Sequence, residues 1–161
     1  MSPFRPKPPE FVIDTDVVIA GAAAFRDQPP QPQENEPLET QLVRRWLDGH
    51  WRWVTSEELL EEHQEILIRR GAPERRARGY VQFIRESARV VVPRAVKEPL
   101  RDPDDSHVIG TVRAAGAPLV TRNVEDYLGR RPRVLTPEET VREVDSYLRH
   151  PMVKISRLLG R

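Results

Sequence analysis

Phe11-Val-Ile-Asp-Thr-Asp-Val-Val-Ile19 is an apolar run of strand length, rich in β-branched residues and interrupted by Asp14 and Asp16. Such a run reads as a buried parallel strand. Two carboxylates inside it need a reason, because an unpaired buried charge is costly. One reason is that the strand ends near Ile13 and the acids shape the turn that follows. The other is that Asp14 stands at the C-terminal end of a central strand, where open α/β sheets place their sites.

Outward from this stretch, short strands are expected at Trp51–Val54, Ala88–Pro93, Leu119–Thr121 and Arg133–Leu135. Between them lie segments of helical periodicity. Leu38, Leu42, Val43, Trp46 and Leu47 mark one helix, which Gly49 ends. Thr55-Ser-Glu-Glu58 reads as a capping box opening a second, whose apolar face is Leu59, Leu60, His63, Ile66 and Leu67. A third starts at Pro73-Glu74, a fourth at Asp102, and a last at Thr136. Ala20–Phe25 fits a short helix or a turn, Arg26–Pro37 a mobile loop, and Val124–Leu128 a helical turn. Strands and helices alternate with connections too long for hairpins. The pattern predicts an α/β fold with a mainly parallel sheet of four to five strands, covered by helices on both faces. Right-handed crossovers then bring the strand C-termini to one edge.

The chain of 161 residues suits one compact domain. Residues 1–10, with four prolines, read as an extended arm; 11–149 as the domain; and 150–161 as a basic, loosely attached tail. No apolar run approaches a membrane span and the N-terminus has no signal-peptide core, so a cytoplasmic location without membrane contact is expected. The absence of cysteine excludes disulfides, thiolate metal sites and cysteine nucleophiles. A net charge of +1 gives no argument for nucleic acid from overall basicity.

Acids recur where strands end and helices begin: Asp14, Glu61 or Glu62, Asp102 to Asp105, and Asp126. Asp102 before Pro103 suits an N-cap, and Asp104 complements the helix dipole. Asp105 precedes Val108 and Ile109 by three and four residues and leans toward the apolar side. On a helical wheel Glu62 falls at the edge of the buried face, Glu61 points to solvent, Glu58 is taken by the cap, and Glu57 stays open. Carboxylates gathered at one edge are stable only if some are protonated or a cation neutralises them. With oxygen ligands alone on offer, that cation is Mg²⁺ or Mn²⁺. The matching chemistry is phosphodiester hydrolysis, with the metal activating water and neutralising charge on the phosphate.

The ordered set Val12-Ile-Asp-Thr-Asp-Val17, Thr55-Ser-Glu-Glu-Leu-Leu-Glu-Glu62 with Ile66-Leu67, Arg101-Asp-Pro-Asp-Asp105 and Val120-Thr-Arg-Asn-Val-Glu-Asp126 resembles the motifs of PIN-domain ribonucleases. Val134-Leu-Thr-Pro137 resembles their closing strand and helix start, and the likeness spans about Phe11 to Tyr147. It is strongest to the toxin components of bacterial toxin–antitoxin pairs. The resemblance implies an α/β/α sandwich and a metal-dependent endoribonuclease. It assigns Asp14, Glu62 and Asp105 as metal ligands and puts Asp126 with them as a further catalytic acid. Asn123 or Asp126 would complete the site, Thr121 would line it, and Asp16 and Asp102 would support it. It names RNA as substrate, with a small antitoxin and a second copy of the chain as protein partners. Two departures stand out: Asp16 where the family usually has Asn, and His63 where it usually has Leu.

Arg122, between Thr121 and Asn123 at the acidic edge, is placed to meet a phosphate. The other basic clusters read as solvated faces. His63 reads as a buried structural histidine, His107 as outward-facing, and His50 and His150 as exposed helix ends. Trp46, Trp51 and Trp53 can stack bases, although core packing suits at least two of them. Two other functions compete with the nuclease. One is a non-catalytic module with its acids held by Arg or Lys. The other is a phosphatase or receiver-like domain, which lacks a suitably placed lysine because only Lys7, Lys97 and Lys154 are present.

Overall fold

The computed structural model describes residues 6–26, 35–127 and 133–160. Half of the 1–10 segment, most of the 26–37 stretch, Leu128, Arg130, Arg131 and Arg161 lie outside the described residues. The opening run splits after Ile13, as the first reading has it, and leaves Asp14 at the strand's C-terminal end, as the second requires, with a helix starting sooner than expected. Strand β1 (Glu10–Ile13) ends before Asp14, and α1 (Thr15–Gly21) begins directly after it. Next come α2 (Ala23–Arg26), α3 (Leu38–Leu47), β2 (Arg52–Thr55), α4 (Glu57–Arg69), α5 (Glu74–Ser87) and β3 (Arg89–Val90). A 3₁₀ turn at Pro103–Asp105 leads into α6 (Ser106–Ala115). After β4 (Leu119–Val120) a second 3₁₀ turn spans Val124–Tyr127. The chain closes with β5 (Val134–Leu135), α7 (Pro137–Leu148) and α8 (Pro151–Leu158).

All strand pairs are parallel, in the order β3-β2-β1-β4-β5. The order runs one way from β1 to β3 and the other way from β4 to β5. A topological switch point therefore lies between β1 and β4, and a crevice opens at the carboxyl ends of those strands. Val12 N–H to Pro118 O and Asp14 N–H to Val120 O, both 2.9 Å, close this central pair.

Alternation along β1 feeds both faces of the sheet. Phe11 and Ile13 join Trp46, Trp51, Trp53, Val81 and Val144 in the larger cluster, under α1, α3, α4, α5 and α7. Val12 joins Val54, Leu59, Val108, Ile109 and Val112 under α6. The result is the expected three-layer α/β/α sandwich. All three tryptophans are core residues: Trp51 and Trp53 stack at 5.5 Å, and Trp51 Nε1–H donates to Leu42 O at 2.9 Å. Among the described residues no helix is long and apolar enough to cross a membrane.

Local boundaries differ from expectation in two places. The cap of α4 is Ser56, not Thr55, because Thr55 completes β2; Ser56 Oγ accepts from Leu59 N–H. β3 stops after two residues because the chain turns onto α6, where Arg94 N–H meets Gly110 O at 3.0 Å. A Cβ on Gly110 would lie 2.3 Å from Arg94 O, so glycine permits this crossing. Within the basic C-terminal segment, Pro151–Leu158 forms helix α8. Pro151 suits its first turn, His150 Nδ1 accepts from Met152 N–H, and Val153 is buried.

Candidate active site

The switch-point crevice collects side chains from four separated segments. Asp14 fills both roles the sequence allowed. Its Oδ1 accepts from Thr15 N–H at 2.9 Å as the cap of α1, and its Oδ2 accepts from the Thr121 hydroxyl at 2.9 Å across the crevice. Asp16, in the first turn of α1, binds the loop after β4. Its Oδ2 accepts from Arg122 N–H and from the Asn123 amide, each at 3.1 Å. Its Oδ1 is buried and has no hydrogen-bond partner among the described residues. Thr121 Oγ1 in turn accepts from Asn123 N–H at 3.1 Å, so Thr121 and Asn123 fasten both acids of the opening run.

The third acid arrives on α4. As the wheel predicts, Glu61 is exposed and Glu62 is half-buried at the edge of the helix's inner face. The Thr15 hydroxyl donates to Glu62 Oε2 and also lies 2.8 Å from His63 Nδ1. One hydroxyl proton cannot serve both. With Glu62 ionised it goes to the carboxylate, so His63 Nδ1 must carry the ring proton and donate to Thr15. Burial pulls the His63 pKa down to about 4, so the ring is neutral. His63 Nε2 is then a buried lone pair without a partner.

His107 closes the other side of Glu62. Its Nε2 lies 3.2 Å from Glu62 Oε1, within ion-pair range but off the line of a good hydrogen bond. His107 holds the Glu62 carboxyl below its usual range, and Glu62 raises the His107 imidazole. The expectation that His107 faces outward is thus corrected. The cause is the 3₁₀ turn at Pro103–Asp105, which advances about 120° per residue rather than 100° and rotates the start of α6.

Asp105 is half-buried, whereas Asp102 and Asp104 are exposed. Asp102 caps the 3₁₀ turn through Asp104 N–H at 2.9 Å. Asp105 makes no capping bond, and its Oδ1 faces the Tyr127 hydroxyl at 3.4 Å, a long contact. Burial, then Asp102 and Asp126, raise the Asp105 pKa. Tyr127 is buried, and burial together with Asp14, Asp105, Asp16 and Asp126 pushes its hydroxyl far above the usual range. Asp126 itself is exposed, and only its field reaches Asp105. The Arg122 guanidinium pairs with Glu39, Nε to Oε1 at 3.5 Å, and its charge reaches Asp16 without an ion pair.

The acids press on one another. The Asp14 pKa rises to about 6, first from burial, then from Asp16, with Glu62 adding to it against the Thr121 and Thr15 hydrogen bonds. Burial also raises Asp16. Among the described residues no Arg or Lys side chain forms an ion pair with Asp14, Asp16, Glu62 or Asp105. The four acids offer oxygen ligands, with the imidazoles of His63 and His107 beside Glu62, and among the described residues Asp16 Oδ1 lacks a partner; carboxylate oxygens suit a hard cation. Among the described residues, however, no three His, Asp or Glu side chains stand close enough to enclose an ion.

Ser56 and Thr111 support the crevice from below. Thr111 Oγ1 donates to His107 O at 2.6 Å, and the two hydroxyls meet at 2.7 Å, tying α4, which carries Glu62, to α6, which follows Asp105. Sequence reasoning overlooked Thr15, His107 and Tyr127. Thr15, flanked by two acids at a strand end, carried the available signal, because a hydroxyl there can bridge carboxylates. Tyr127 gave none beyond its apolarity.

No curated protein matches the chain. A family model described as PIN domain matches residues 10–125, from the start of β1 through the Thr121–Asn123 clamp. With the parallel sheet and acids gathered at its switch point, this match shows that the chain belongs to the PIN-domain family, whose members are generally nucleases.

Proposed function

We propose that the chain is a metal-dependent endoribonuclease, acting in the cytoplasm as the toxin of a toxin–antitoxin pair, with residues 11–149 as its nuclease domain. The observation that carries this reading is the state of Asp14. It lies at the switch point with Asp16 and Glu62 acting on it, its carboxyl is pushed up to about 6, and among the described residues no Arg or Lys pairs with it. A divalent cation relieves that repulsion. Asp14, Glu62 and Asp105 would hold Mg²⁺ or Mn²⁺, drawing together to do so, and Asp126 would add its charge at the rim. When bound, the ion supplies Lewis acidity at the phosphate. Thr15 and Thr121 orient the carboxylates, Asp16 and Asn123 fix the loop that carries Thr121, and neutral His63 keeps the Thr15 hydroxyl donating to Glu62. The motif set supports RNA as substrate, and the toxin role rests on the same likeness.

The decisive experiment incubates a labelled RNA with wild type and Asp14→Asn in Mg²⁺, Mn²⁺ or chelator. Wild type cleaves only with metal and the variant does not; equal cleavage by the two proteins rejects the mechanism. A non-catalytic PIN-like module binding RNA or protein is the second reading. In its favour is the same arrangement that leaves no three acids assembled, with Thr15, Thr121 and His107 already satisfying them. Failure to bind Mn²⁺ at millimolar concentration supports it.

A further inference from the structure

Beyond the acids, α1 and α4 run side by side into a cleft of about 350 Å³. Ile19, Leu67 and Ala72 line it, together with Arg70, Arg76 and Tyr80. Arg70 and Arg76 differ from Arg69 and Arg78 beside them, and Arg75, also without an ion pair among the described residues, does not line the cleft. Arg69 pairs with Glu65 and Arg78 with Glu74, each at 2.5 Å, whereas Arg70 and Arg76 have no acidic partner among the described residues. Tyr80 is stacked on Phe25 at 4.9 Å, which fixes its ring in the wall.

The cleft and the acids share two helices. Leu67 and Arg70 follow Glu62 by five and eight residues, and Ala20 and Ala22 follow Asp14 by six and eight. At a rise of 1.5 Å per residue the cleft opens roughly 8–12 Å from the carboxylates along both helices. A stacked strand advances about 3.4 Å per nucleotide, so this is a span of about three nucleotides, or fewer when extended.

We infer that the Arg70–Arg76–Tyr80 cleft is a subsite for single-stranded RNA, holding a backbone phosphate a few nucleotides from the bond that is cut. This rests on the nuclease reading of the acids and adds a direction for the strand. Two guanidinium groups with no internal acid supply the charge a phosphate needs. The aromatic ring and the aliphatic floor suit the sugar or base beside it. The same cations oppose insertion of a purely apolar peptide.

The test is anisotropy of a fluorescent single-stranded RNA twelve nucleotides long, in chelator so that no cleavage occurs, repeated over a salt series. Arg70→Ala/Arg76→Ala is compared with Arg69→Ala/Arg78→Ala, which removes the same charge from the same helices outside the cleft. All four residues are exposed and circular dichroism checks that both variants fold. The expected result is a tenfold or greater loss of affinity in the first variant, with a log–log salt slope shallower by about 0.7, as for the one phosphate the cleft would hold. The second variant stays within twofold of wild type. RNA binding by the first variant equal to wild type overturns the subsite and hands the cleft to another occupant, such as a protein segment. Equal losses in both variants overturn it too, because diffuse charge then suffices. If RNA binds through the cleft but is never cut in Mg²⁺ or Mn²⁺, the subsite stands and the nuclease reading fails. If RNA is cut with an unchanged KM in the cleft variant, the reverse holds.

Discussion

Replacing Asp14 by Asn should stabilise the metal-free protein at neutral pH, although it removes the proposed first ligand. The free carboxyl titrates at 3.8, and in the fold burial and Asp16 move it up to about 6. The folded state therefore keeps its proton through a window in which the unfolded chain has lost it. Stability from this group is greatest below about pH 4 and falls as the pH rises to about 6. The gap of about two pH units, at about 1.4 kcal/mol each, sets a ceiling near 3 kcal/mol. Asn keeps one oxygen for Thr15 N–H but presents an amide to the Thr121 hydroxyl, at a cost of about 1 kcal/mol. The net gain is about 1–2 kcal/mol at pH 7.5. Urea denaturation in chelator at pH 7.5 and 4.5 measures it, with wild type and variant compared at each pH so that the other carboxylates cancel to first order. The gain should vanish or change sign at pH 4.5. An Asn variant less stable than wild type at pH 7.5, or a difference independent of pH, would refute the account of Asp14 as a carboxylate held under charge strain.

Saturating Mn²⁺ should invert that order: at a hundredfold excess over Kd it adds about 2.7 kcal/mol to wild type, read as a rise in Tm that the Asn variant lacks. Thr15→Val, which removes the hydroxyl between Glu62 and His63, should weaken Mn²⁺ binding about 10–100-fold by calorimetry. The fold itself should persist, since valine fills the same volume. Gly110→Ala should destabilise by about 1–3 kcal/mol in urea, because its Cβ would lie 2.3 Å from Arg94 O; no loss of stability would mean that the crossing of the chain over α6 is looser than described.

The architecture was legible because its signals are periodic. The β-branched runs located five strands, and helical spacing found α3 to α7, since burial on one side imposes those patterns directly. Glu62 and Asp105 were legible for the same reason: each sits at the border of an apolar face, so a wheel or an i+3/i+4 count points it toward the crevice. His107 was misread because its orientation depends on a 3₁₀ turn, and nothing in Asp102-Pro-Asp-Asp105 separates 3₁₀ from α. Thr55 and Ser56 both suit a cap, and the choice depends on where β2 stops, a matter of sheet register. The acidic cluster carried an ambiguity that the fold dissolved: Asp14 caps a helix and faces the crevice at once. The hydroxyl links from Thr15 and Thr121 join residues 47 and 107 positions apart, and such pairings are set by topology rather than by any local motif.

The placement of β4 beside β1 sets a clock on the site. Asp14 directly follows the first strand, yet Val120 O, the Thr121 hydroxyl and Tyr127 all lie more than a hundred positions later. Chains emerge from the ribosome N-terminus first. Through most of synthesis β1 has β2 on one side and an open edge on the other, and Asp14 has no crevice. A growing chain thus carries the crevice acids unassembled until synthesis has passed the Thr121–Tyr127 segment.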